Sequence, residues 1–272
     1  MAVAERTPIL ELRGVSKRFG AVQALTDVDF EVYAGEVVGL VGDNGAGKST
    51  LIKAIAGIYP VDSGEFLFEG RPATIHGPND ATHLGISTVY QDLALCDNLD
   101  VVANLYLGRE TAARRLGPLS VIDEVSMEKR AIDVLRGLSV KIPSVRTAIA
   151  SLSGGQRQSV AVARSVMWDA RIVILDEPTA ALGVAQTAQV LDLIRRLRDQ
   201  GLGVVVISHN LADVFEVVDR IVVLRLGRRV GSFDVHATSR EQVVAAITGA
   251  EWGTVPGETS AIGGNGPKET LS

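Results

Sequence analysis

The chain has 272 residues, 46% of them hydrophobic, enough to bury a sizeable core in one or two domains. Its 27 basic and 32 acidic residues leave a net charge of −5, which excludes a global positive field aimed at nucleic acid or an anionic membrane. The single Cys96 excludes an internal disulfide, and His76, His83, His209 and His236 show no zinc-ligand spacing with it or with one another.

Near the start, Glu5 and Arg6 fall where a secretory signal needs an unbroken apolar stretch. No uncharged apolar run reaches the roughly 18 residues of a membrane span, so the expected location is cytosolic, with any membrane attachment made through a partner. Residues 9–36 alternate β-prone pieces ("ILELRGV", "VDFEVY") with turns expected at Gly14, Gly20 and Gly35, which predicts an antiparallel edge leading into the core sheet. "VVGLVGDNGAGKSTLIKAIAG", residues 37–57, then reads as strand, glycine turn and helix, ended by Gly57 and Pro60. "GEFLFEGRPATI" predicts a strand pair. From about Asp92 to Ala150 the stretches "LDVVANLYLG" and "MEKRAIDVLRGL" carry helical periodicity with no strong strand between them, which predicts a helical insertion.

After "SLSGGQ" the pattern becomes α/β. "RIVILDEP" is a buried strand, Val190, Leu193, Ile194 and Leu197 form one face of a helix stopped by Gly201, and "GVVVIS" is another buried strand. That order predicts a parallel sheet covered on both faces. "RIVVLRLGRRVGSF" predicts a hairpin turning near Gly227, and the Gly-, Ser-, Thr- and Pro-rich residues 251–272 predict a disordered tail.

Three stretches carry chemistry. Gly42, Asp43, Asn44, Gly45, Ala46, Gly47, Lys48 and Ser49 satisfy the phosphate-loop pattern G-x-x-x-x-G-K-[ST]. Glycines let the backbone approach a ligand with its N–H groups aimed at phosphate oxygens, and the following helix adds the positive end of its dipole. Lys48 would bridge the β- and γ-phosphates, Ser49 would place its hydroxyl on Mg²⁺, and Thr50 would meet the α-phosphate. The alternative is a glycine turn with an incidental lysine. In "RIVILDEP", Asp176 and Glu177 end a buried strand, where a carboxylate is expensive unless it meets a cation or works. Asp176 can hold Mg²⁺ through water and Glu177 can polarise the water attacking the γ-phosphate, unless the pair merely caps a helix beginning at Pro178. Ser153, Gly154, Gly155 and Gln156 of "LSGGQ" open a second helix suited to phosphate. One phosphate loop with a second such helix start suggests a dimer in which each chain completes the other's site.

With "GDNGAGKST", "LSGGQ" and "ILDEP" in this order, residues 8–250 resemble the ATP-binding subunit of ATP-binding cassette (ABC) transporters. The resemblance implies an α/β P-loop NTPase with a RecA-like core, an antiparallel β-subdomain and a helical subdomain at about 92–165. Two such domains would close head to tail over two ATP·Mg²⁺. It further implies that Gln91 of "VYQD" is the glutamine of a loop that reaches Mg²⁺ and couples to membrane subunits. His209 of "ISHN" is then the histidine on the γ-phosphate and Phe19 of "SKRFG" the aromatic stacked on adenine. A lone histidine past a buried strand is otherwise more often structural, and an aromatic near an edge strand is usually packing. Where the family has an aspartate after "DEPT", this chain has Gly183, which puts communication between the two sites in doubt.

"GISTVYQDLALCDNLDVVANLYLGRE", "SLSGGQRQSVAVARSV" and "DEPTAALG" are similar to the single-cassette ATPases of bacterial importers of ribose, xylose and fructose. The expected partners are membrane permeases, a second ATPase chain, in the simplest case a homodimer, and indirectly a solute-binding protein, with no nucleic acid. An importer ATPase for an amino acid, lipid or metal, and a soluble ABC ATPase of translation or DNA repair, remain alternatives; the latter carry paired cassettes or long coiled-coil insertions.

Overall fold

A computed structural model of the chain describes residues 6–116 and 119–250. The tail expected at 251–272 lies outside the described residues. Two strands, β1 (Leu10–Phe19) and β2 (Val22–Val32), lead into β3 (Glu36–Val41) and helix α1 (Lys48–Ile55). β4 (Ser63–Phe68), β5 (Arg71–Ala73), α2 (Pro78–His83) and β6 (Ile86–Val89) follow. Next come α3 (Val101–Tyr106), β7 (Ala112–Leu116), β8 (Leu119–Ile122), α4 (Glu124–Gly137) and α5 (Gly154–Val166). The chain closes with β9 (Ile172–Asp176), α6 (Val184–Asp199), β10 (Gly203–Ile207), α7 (Leu211–Val217), β11 (Arg220–Arg225), β12 (Arg228–Asp234) and α8 (Arg240–Thr248).

The central sheet has the order β12-β11-β3-β10-β9-β6, parallel except for the β11–β12 hairpin. Its strands read as unbroken apolar runs because successive residues feed two different cores. Val37, Val41, Val173, Leu175, Val204, Val206, Ile221 and Val223 join the core made with α3 to α8. Their neighbours Val38, Leu40, Ile172, Ile174, Val205, Ile207, Val222 and Leu224 join the core on the opposite face, with α1 and the second sheet. Full burial of each such side chain is worth about 1.5–3 kcal/mol, so both faces hold the sheet in place.

The antiparallel strands form a sheet of their own, β2-β1-β4-β5, rather than an edge of the central one. Arg220 fastens the two sheets: its Nε donates to Glu36 Oε1 at 2.8 Å within the central sheet, and its Nη2 donates to the Glu31 carbonyl of β2 at 2.9 Å. Gly14 is no turn; it sits inside β1 at a register shift, where its N–H donates to Asp29 Oδ1. The helical insertion predicted from about Asp92 to Ala150 contains α3 and α4, but a short antiparallel hairpin, β7–β8, lies between them.

Candidate functional site

Four parallel strands end on the same edge of the central sheet. Ile207 pairs with both Leu40 and Asp176, and Val89 pairs with Leu175, so the residues after β3, β10, β9 and β6 emerge together. This edge therefore gathers the Gly42–Thr50 loop, His209, Asp176 with Glu177, and Gln91. The carboxyl edge of a parallel sheet is where open α/β folds bind ligands.

The loop between β3 and α1 has Gly42, Gly45 and Gly47 at positive φ. Gly47 is at φ 103, and a Cβ there would lie 2.8 Å from the Ala24 carbonyl oxygen. Only glycine fits that approach. Lys48 opens α1, and its ammonium donates to the carbonyls of Gly42 at 2.7 Å and Asp43 at 3.0 Å. Burial pulls the Lys48 pKa below its ordinary value, against the opposing pull of Glu177, Asp43 and Asp176. Val22, Gln23 and Ala24 of β2 and Leu226 and Gly227 of the β11–β12 turn share a pocket with Asn44–Thr50. Nothing in their residue types announces that placement.

Asp176 is half-buried at the end of β9, and burial, then the Glu177 carboxylate, pushes its pKa above the usual carboxylate value, while Lys48 and Lys53 oppose the shift. Glu177 has the left-handed backbone angle φ 50, and its N–H donates to the Ile207 carbonyl at 2.9 Å. No helix starts at Pro178: the chain turns through Ala180 and Leu182, and α6 begins at Val184. The capping alternative for the two acids therefore fails. His209 Nδ1 lies 2.9 Å from Glu177 Oε1, with the histidine side chain 77% exposed and the glutamate 17%. The sheet thus brings a base candidate and an imidazole within 2.9 Å of each other across two strand ends. Gln91 is exposed, two residues past the Val89–Leu175 pair.

Ser153 to Gln156 open α5 with a reciprocal cap. Gln156 N–H donates to Ser153 Oγ at 3.3 Å, and Ser153 N–H donates to Gln156 Oε1 at 3.0 Å. Gln156 Nε2 also donates to the Lys141 carbonyl, so this amide is committed within its own chain. Gly154 and Gly155 face the start of α6, where added Cβ atoms would lie 3.0 Å from Leu182 and 3.1 Å from Gln186. Ser153 and Gly154 are exposed, and none of the four lines the pocket of the Gly42–Thr50 loop.

Phe19, 40% exposed at the end of β1, packs edge-on against Tyr59 with 5.0 Å between ring centroids. Lys17 Nζ lies 5.4 Å from the Phe19 ring. Among the described residues there is no cluster of three or more His, Cys, Asp or Glu side chains arranged to hold a metal alone, and no helix is long and apolar enough to cross a membrane.

The family profile described as ABC transporter matches residues 25–180. The chain is 44% identical over 247 residues to the xylose/arabinose import ATP-binding protein of Sulfolobus acidocaldarius, covering 91% of this chain and 96% of that protein. It is 46% identical over 249 residues to the fructose import ATP-binding protein of Rhizobium meliloti, covering 90% and 95%. Among solved structures, the ADP conformation of an ATP-binding cassette of an ABC transporter matches with a TM-score of 0.76 at 25% identity, over 89% of this chain and 96% of the other.

Proposed function

Because this chain belongs to the ABC transporter family, as an ATP-binding and ATP-hydrolysing subunit, we propose that it drives monosaccharide uptake from the cytoplasmic face of a membrane, docked on permease subunits. The observation that carries this is its similarity, along nearly their whole length, to two sugar-import ATP-binding proteins. The working unit is residues 8–250, with 92–165 as the helical subdomain.

The donor set fits ATP with Mg²⁺. Ser49 and Asp176 offer hard oxygen ligands without a complete protein cage, which suits an ion that keeps waters and shares phosphate oxygens. Mg²⁺, held by Ser49, Asp176 and Gln91, would neutralise charge on the β- and γ-phosphates. The amides of Asp43, Asn44, Gly45, Ala46 and Gly47 cradle the phosphates, Lys48 bridges β and γ, Thr50 meets α, and Phe19 stacks on adenine. Glu177 accepts a proton from the attacking water as its oxygen bonds the γ-phosphorus and the bond to the β–γ bridging oxygen breaks. His209, oriented by Glu177, steadies the γ-phosphate.

Ser153, Gly154 and Gly155, whose helix start stands apart from the loop of the same chain, close over the nucleotide of a second copy, and Gln156 shapes that helix start. Closure then drives the permeases, provided ATP binds the closed pair more tightly than the open one.

The test is gentle solubilisation of native membranes and identification of what co-purifies with the tagged chain. A polytopic permease with a sugar-binding protein is expected, and that protein's ligand names the sugar. An amino-acid-binding protein in its place would replace the sugar reading, and ribosomes or DNA without a membrane protein would overturn transport altogether.

A further inference from the structure

The loop after Glu177 and the helix after His209 are joined by a contact that the nucleotide chemistry does not use. Thr179 Oγ1 donates to Asp213 Oδ2 at 2.7 Å. Thr179 is buried, and Asp213 is half-buried in the first turn of α7. A buried hydroxyl with a charged acceptor at this distance is a strong, directional tie.

The loop needs one. Glu177 at φ 50 and Ala181 at φ 58 both occupy the left-handed region that residues with a Cβ avoid, so the path from 177 to 182 must be imposed by its surroundings. The Glu177 N–H is fixed on Ile207, and Ala180 and Leu182 bond back within the loop itself. From the middle of the loop, Thr179 reaches out to α7. At the other end of this link, α7 is set firmly behind His209: Asn210 N–H donates to Ser208 Oγ, and Asn210 Oδ1 accepts from the Ala212 N–H, both at 3.0 Å. Asp213 thus stands four residues beyond His209, in the first turn of the helix that this cap begins.

We propose that Asp213 is a positioning residue for ATP hydrolysis, acting through Thr179 to lock the loop behind Glu177 onto the helix behind His209. The carboxylate and imidazole then meet because their supports are clasped, as well as through their own 2.9 Å contact. This rests on the roles proposed above for Glu177 and His209. Neither Thr179 nor Asp213 touches the reacting atoms, so losing the clasp should slow turnover without loosening nucleotide binding.

The experiment compares purified full-length Thr179→Val, Thr179→Ser, Asp213→Ala and the Thr179→Val/Asp213→Ala double variant with the unaltered chain. Thr179→Val and Asp213→Ala should each lower kcat about tenfold with KM for ATP within about twofold. The double variant should be no worse than the worse single one, because both remove the same interaction. Thr179→Ser, which keeps the hydroxyl, should stay within about twofold of the original kcat. Hydrogen exchange should show segments 177–182 and 208–214 losing protection together in Thr179→Val, with Lys48–Ile55 unchanged. Additive losses, a KM rise at constant kcat, failure of Thr179→Ser, or a kcat loss that tracks a fall in Tm would overturn the clasp. Failure of the underlying assignment looks different: no turnover by the unaltered chain, or normal turnover by Glu177→Gln. The exchange data then decide alone, joint loss upholding the clasp and loss confined to one segment overturning it.

Discussion

At the residue scale, the two acids at the end of β9 do opposite things to the protein. Glu177 is tied to His209 and held in a backbone conformation that is costly by about 1–2 kcal/mol for a residue with a Cβ. Replacing its carboxylate by an amide keeps the shape and removes the proposed proton acceptor. Glu177→Gln should therefore retain ATP binding while kcat falls about 100-fold or more, measured by nucleotide titration beside phosphate release. Asp176 is strained electrostatically instead: burial and Glu177 raise its pKa above the ordinary 3.8. A carboxyl raised in the folded state stabilises the fold when protonated, an effect complete below about pH 4 and lost as pH rises through the folded-state value. Once ionised, the group is a burden. Asp176→Asn should raise Tm by about 1–2 °C at pH 7, after allowance for solvent screening, and by nothing near pH 3.5, while abolishing hydrolysis. A stability gain that persisted at the acid end would trace to packing instead.

At the element scale, the β11–β12 turn supports the phosphate loop from behind. Gly227 N–H donates to the Ala46 carbonyl at 3.0 Å, Thr26 N–H donates to the Gly227 carbonyl at 2.8 Å, and a Cβ on Gly227 would lie 2.7 Å from the Ala24 carbonyl oxygen. At φ 75 a side chain is also conformationally disfavoured. Gly227→Ala should destabilise the protein by about 1–3 kcal/mol in a denaturant titration and weaken ATP binding as well, since the displaced turn carries the loop with it. The hairpin was legible in the sequence; its grip on the loop was not, because contacts between Gly227 and residues 24–46 exist only once β2 and β11 are placed. The same distinction runs through the fold. The parallel strands announce themselves as unbroken apolar runs because both faces are buried. The β7–β8 hairpin, "AARRL" and "LSVI", lies between two strongly periodic helical stretches and offers little β-branched alternation of its own. Helix α2, "PNDATH", buries only Ala81 and so shows no apolar stripe. In the site, residues contiguous in sequence were readable, whereas Thr179 and Asp213, 34 positions apart, meet only through the tertiary structure.

At the scale of the whole molecule, the sheet edge supplies one phosphate loop, and the exposed α5 start stands on a separate helix whose glycines are pressed against α6. The head-to-tail pair proposed above would resolve this, each site drawing Lys48 from one chain and Ser153 from the other. Two inactive variants should then rescue one another. A Lys48→Ala chain has no competent loop, and a Ser153→Arg chain has a blocked helix start, so each alone forms only dead pairs. In a mixed pair, the loop of the Ser153→Arg chain faces the intact helix start of the Lys48→Ala chain, giving one working site of two. Half of the pairs in an equal mixture are mixed, so ATPase activity should return to about a quarter of that of the unaltered chain if each site fires by itself. Independent firing is expected here, because Gly183 offers no carboxylate to carry a signal across the pair. Recovery far below a quarter, in a mixture shown to contain mixed pairs, would mean that both sites must fire together despite Gly183, or that α5 serves the loop of its own chain. An equal mixture of the unaltered chain with a Lys48→Ala/Ser153→Arg double variant separates these outcomes: ATPase activity should be about half that of the unaltered chain if each chain is complete in itself, and about a quarter if the sites are shared between chains.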